Sequence, residues 1–216
     1  MPFFDVTKSL VENMYFLSGP ILAILGFAAI IQLRLTKKAI VISSKREAAR
    51  LAADQIDVYT SKIIPLQNDL YTAELKENIP KEKIAIGEFS RAAVVAVLGE
   101  ENLRKNEATR LRLVVPLLSV INSMEAFSTY FTKGIADEEI AYSAVGRTFC
   151  YSVESLYFDI ASCITSKEDK SFQNIVGLYQ IWRSRMEKEK LDKAKEDILK
   201  KLDEIKSDKV SPIGTK

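Results

Sequence analysis

Few residues in this chain are of a kind that does bond-making chemistry. Histidine is absent from all 216 positions, which removes the commonest general base and the commonest metal ligand. No G-x-x-x-x-G-K-[ST], G-x-G-x-x-G or G-x-S-x-G occurs, so the sequence offers no recognisable phosphate loop or nucleophile elbow. Cys150 and Cys163 are the only cysteines. Without a C-x-x-C spacing they read as reduced core residues, on different faces of one helix. Glu125 stands alone in the apolar stretch 114–131 and needs a partner there. Arg147 and Arg183 are the candidates, as a buried ion pair. Glu154 and Asp159 are isolated on their own helix, so no carboxylate pair forms an acid–base site. The chain reads as a non-enzyme, with no cofactor and no metal.

The arginines are placed more suggestively. Arg46 and Arg50 share a helical face; Arg110 and Arg112 flank Leu111; Arg183 and Arg185 follow Trp182, with Tyr179 close by. Guanidinium forks bind phosphates bidentately, and interleaved aromatics stack bases. Arg46, Arg50, Arg110, Arg112, Arg147 and Arg183 are therefore the candidate nucleic-acid contacts. The net charge is only +2, from 31 basic and 29 acidic residues. Any such surface must arise from local placement.

The element that positions everything else is the stretch 14–33, MYFLSGPILAILGFAAIIQL. It has no charge, and ten of its residues are Leu, Ile or Phe. As a helix it reaches about 30 Å, the thickness of a bilayer's hydrocarbon core. Insertion is favoured by roughly 3 to 6 kcal/mol before Ser18, Pro20 and Gln32 subtract from it. A cleaved leader fits poorly, since residues 1–13 carry Asp5 and Glu12 against Lys8. Residues 34–50 then hold Arg34, Lys37, Lys38, Lys45, Arg46 and Arg50 against Glu47 alone. That bias keeps the following chain cytoplasmic and the N-terminus outside. Anionic lipid headgroups are natural partners for the cluster. On the span, Ser18, Leu22, Leu25, Ala29 and Gln32 share a face and would line a pore if several copies met. Gly19 and Ala23 form a small-xxx-small pair for close helix packing.

The fold class is all-α: one N-terminal transmembrane helix, then a cytoplasmic helical bundle with a projecting C-terminal helix. Residues 1–13 form the outer terminus, 14–33 the span, 34–43 a basic connector, 44–206 the helical domain and 207–216 a flexible tail. The β-branched run Ala39–Ile42 and the capping-box spacing Ser44-Lys45-Arg46-Glu47 predict a break before a new helix. Ala52, Ile56, Tyr59, Ile63, Leu66, Leu70 and Ala73 make a heptad seam, open to a helix of the same domain or of a second copy. Pro65 should disturb it. A polar loop is expected at 77–83 and a helix over 92–98. One long helix is expected over 107–133, ended by Gly134, and another from an Asp137 cap to about Cys163. Ser171 is expected to cap a last helix running to about Lys206. Its second half carries a narrow stripe of Leu191, Ala194, Ile198, Leu202 and Ile205.

Phe16-Leu17-Ser18-Gly19-Pro20, Ser44-Lys45-Arg46-Glu47-Ala48, Ile121-Asn122-Ser123-Met124-Glu125-Ala126 before Gly134 and Asp137-Glu138-Glu139, and Tyr179-Gln180-Ile181-Trp182 together resemble a recurring pattern over roughly residues 14–186. It belongs to a bacterial family of single-span helical proteins of unknown function, which includes the membrane channel effector of the Hailong anti-phage system. The resemblance implies an oligomeric ion channel, held closed by a single-stranded DNA oligomer. A nucleotidyltransferase encoded nearby would make that DNA. A homo-oligomer is expected, with a tetramer favoured. The alternative is a membrane-anchored scaffold that binds a partner protein through the 52–73 seam or the 188–205 arm.

Overall fold

The computed structural model describes residues 3–79, 85–166 and 168–207. Among them every regular element is helical. The chain divides into two compact units, Met1–Ala48 and Ala49–Lys216. Part of the expected loop at 77–83 and nearly all of the expected tail at 207–216 lie outside the described residues.

Helix α1 spans Phe3–Val58. In the first unit every described side chain from Met14 to Glu47 is exposed. The expected connector at 34–43 is helix, and the Ser44 capping box begins no new element. The physical reason lies in what the sequence lacks there. Between Gly26 and Pro65 there is no glycine or proline, and β-branched residues cost a helix only a few tenths of a kcal/mol each.

In the second unit the α-helical path stops at Val58, where a π-helical turn occupies Tyr59–Ile63 before α2 (Ile64–Lys76). The Ile64 N–H bonds back to the Tyr59 carbonyl. Pro65 has no N–H to offer the carbonyl four residues earlier and clashes with it, so the turn widens there. The heptad seam is spent inside this unit: Ala52, Tyr59, Ile63 and Leu70 are buried, with Ile56, Leu66 and Ala73 packed against the same core. That settles the seam's partner as its own domain, through α5.

Helix α3 (Arg91–Leu98) starts at Ser90, whose Oγ accepts from the Ala93 N–H at 3.2 Å. The single helix expected over 107–133 is in fact three pieces. These are α4 (Glu100–Arg110), a 3-10 turn at Leu111–Leu113 and α5 (Val114–Thr132). Pro116 cannot sit deep in a helix, so α5 begins just before it. Gly134 closes α5 with φ +65°, as expected of a C′ glycine. Asp137 caps α6 (Glu138–Ser155), accepting from the Glu139 and Ile140 N–H groups. A turn at Leu156 separates α6 from α7 (Tyr157–Cys163). The two cysteines therefore lie on different helices. Cys150 is buried, but Cys163 is exposed and not the core residue expected. Helix α8 spans Gln173–Ser207.

The core is an aromatic cluster. Tyr59, Phe127, Phe131, Phe149 and Trp182 meet with ring centroids 4.9 to 6.3 Å apart. Such tilted and edge-on pairs add to the area term. Helices α5 and α6 both pack on α8, while α3 packs against α4 and α7.

Candidate nucleic-acid interface

Helix α8 is tied down by ion pairs along the face it turns to the core. The Trp182 indole N–H donates to Glu138, which also takes the Arg185 guanidinium at 2.8 Å. Arg185 lies 4.4 Å over the Tyr142 ring. Tyr142 in turn donates to Glu189 at 2.8 Å, and burial pushes its hydroxyl pKa up to about 12. At the N-terminus of α8, Glu125 accepts from the Asn174 N–H (3.2 Å), the Ile175 N–H (2.9 Å) and Asn174 Nδ2 (2.7 Å). The expected pairing of Glu125 with Arg147 or Arg183 is thus wrong. A helix N-terminus supplies the positive partner. The expected Ser171 cap is wrong too: α8 begins at Gln173, two residues on, and the Ser171 N–H is held by Asp169 at 2.9 Å.

The six candidate arginines fare differently. Arg110 is 13% exposed and donates from one nitrogen to both oxygens of Asp159, at 2.7 and 2.8 Å, with Glu74 at 3.5 Å. Arg110 is thus held mainly inside the fold, its Nη1 engaged by two buried acids. Burial is also the main reason that Asp159 titrates high, at about 6, despite Arg110. Arg183 pairs with Glu154 at 3.2 Å and Glu187 at 3.3 Å. Arg112 pairs with Glu77 at 3.1 Å, and Arg50 with Asp54 at 2.8 Å. These last pairs are solvent-exposed and cheap to open. Arg46 and Arg147 are exposed.

Arg147 is set in a cleft beside other cations. The groove between α6 and α8 holds about 730 Å³ at its wider part, lined by Glu138, Tyr142, Arg147, Arg185 and Glu189 among others. It continues into a smaller hollow of about 230 Å³ lined by Arg147, Met186, Glu189, Lys190 and Lys193. There three cations from two helices meet one carboxylate, already engaged by Tyr142. Lys190 and Lys193 were missed by sequence reasoning, because the Lys/Glu-rich stretch reads as a solvated arm. The signal was their spacing: at 100° per residue both fall on the face that Met186 and Trp182 turn to the core. Among the described residues no metal-ligating group of three Cys, Asp or Glu assembles.

The membrane candidates lie on α1. Ser18, Leu22, Leu25, Ala29 and Gln32 are exposed and fall within an arc of about 80°. The Ser18 hydroxyl donates to the Tyr15 carbonyl at 2.7 Å, so its polarity is met inside the helix. Gly19 and Ala23 are exposed on the neighbouring arc, and a side chain added at Gly19 would meet nothing within 4 Å.

No family model, curated protein or solved structure matches the chain.

Proposed function

We propose that this protein is a single-span membrane effector of bacterial anti-phage defence, a homo-oligomeric ion channel kept closed by single-stranded DNA. Residues 14–33 cross the inner membrane, with the N-terminus outside and the helical bundle in the cytoplasm. The observation that carries the reading is the apolar length of α1. Phe16, Ile24, Phe27 and Leu33 are each 68 to 75% exposed, a surface that water penalises and a bilayer accepts. The six cations at 34–50 follow directly. Several copies, most simply four, would bring the Ser18–Gln32 face around one axis, with Gly19 and Ala23 allowing close approach.

DNA phosphates are assigned to the hollow between α6 and α8, where Arg147, Lys190 and Lys193 converge. Arg110 is left out. A nucleotidyltransferase encoded nearby would supply the strand. Binding of a short single-stranded DNA by the detergent-solubilised full chain should weaken with salt, at a log–log slope of about −0.7 per phosphate neutralised. Arg147→Glu with Lys193→Glu should reduce both affinity and that slope, and in cells should depolarise the membrane. DNA binding absent at low salt, or unchanged by the double reversal, removes the ligand. A strictly monomeric mass in every detergent removes the channel, because one span encloses no path.

A further inference from the structure

Helix α8 changes sides. Up to Met186 the apolar residues Ile175, Leu178, Trp182 and Met186 point into the core and are fully or almost fully buried, while Ile181 is exposed. Beyond Lys188 the apolar residues with described side chains are Leu191, Ala194, Ile198, Leu199 and Leu202. All of them are exposed, Leu191 by 71%. At 100° per residue this second stripe is centred about 180° around the helix from the first. It therefore cannot extend the packing that holds the first half. The back of this segment is polar instead, with Lys190 and Lys193 in the groove and Glu196 paired to Lys200 at 2.9 Å.

We infer that the distal half of α8 pairs antiparallel with the same segment of a second copy. The seam runs through Leu191, Lys195, Ile198 and Leu202, the register that also places Ala194 and Leu199 on its two shoulders. Lys195 lies on this seam with its stem against the apolar residues and its ammonium at the edge. Charge decides the direction. In a parallel pair the shoulder residue Glu187 faces Asp192 of the second copy, like against like. In the antiparallel pair Leu191 lies level with Leu202 of the second copy and Ile198 level with Lys195. Glu187 then faces Lys201 across one shoulder, twice by symmetry. Leu199 meets Leu199 across the other. Glu187, itself exposed, is otherwise paired with the half-buried Arg183, at 3.3 Å. A segment of about 20 residues is marginal as a free coiled coil, so the pairing depends on the rest of the chain keeping copies close. This inference goes beyond the channel reading and does not rest on it.

The test uses the full chain in detergent and in vesicles, with Cys163→Ser removing the exposed thiol. Cys150 stays, since it is buried and its thiol is pushed up to about 12. Leu199→Cys should crosslink to itself through a short bis-maleimide. Leu191→Cys should not, being about 16 Å along the axis from its own copy. Mixed Leu191→Cys and Leu202→Cys proteins should crosslink to each other. Lys201→Glu should cut the Leu199→Cys product to about a tenth, and adding Glu187→Lys should restore it. Self-crosslinking at Leu191→Cys as strong as at Leu199→Cys overturns the direction. No crosslink at any position, or crosslinking only to another protein, overturns the pairing itself. These crosslinks report contact at this segment whether or not the assembled spans conduct ions, so failure of the pairing and failure of the channel are read separately.

Discussion

Glu125 shows how one carboxylate organises two helices. It sits on α5 but satisfies the first N–H groups of α8, which have no partner within their own helix. Glu125→Ala leaves those donors and Asn174 Nδ2 unmet and should cost about 1 to 3 kcal/mol. Thermal unfolding of the solubilised protein would read this as a fall of several degrees. Glu125→Gln, which keeps an acceptor, should lose less. Asp159 gives a pH signature of definite sign. Its folded pKa of about 6 lies above the usual aspartate value of 3.8. Between pH 4 and 6 the folded chain therefore holds a proton that the unfolded chain has lost. Stability from this group is greatest below pH 4 and is lost as pH rises through 6. Asp159→Asn should flatten that part of the stability–pH curve; an unchanged slope would show that another acid sets it.

At the scale of elements, punctuation residues were legible and their consequences were not. Gly134 and Asp137 end and start helices where expected, because their effects are confined to one turn of backbone. At Gly134 a side chain would meet nothing within 4 Å, so Gly134→Ala should cost only the left-handed backbone term, about 1 to 2 kcal/mol. Unfolding by denaturant measures it, and Gly134→Asn should cost less. Pro65 and Pro116 were also visible as disturbances. The outcome, a π-helical turn at one and a 3-10 turn at the other, depends on what each must deliver to the core. Tyr59 is buried against Phe127 and Phe149 and shares a hydrogen bond with Ser152. The continuity of α1 through 34–47 went unseen because a capping box was present without any residue that stops a helix.

For the whole molecule the strongest forecast concerns topology. Cations crowd the C-terminal side of the 14–33 stretch and not its N-terminal side. A reporter fused after Lys216 and active only in the periplasm should stay silent, while one before Met1 should be active; the reverse pattern overturns the orientation. The sequence by itself determined the helical class, the long apolar segment near the N-terminus and the charge bias beside it. Hydrophobic run length and charge count are sums along the chain and need no neighbour. Only the tertiary structure decided which charges are spent. Arg110 is lost between Asp159 and Glu74, which lie 49 and 36 positions away from it. Arg147 meets Lys190 and Lys193 because α6 packs on α8. An ion pair is a matter of a few ångströms in space, and residues this far apart in sequence come within that range only when the helices are docked.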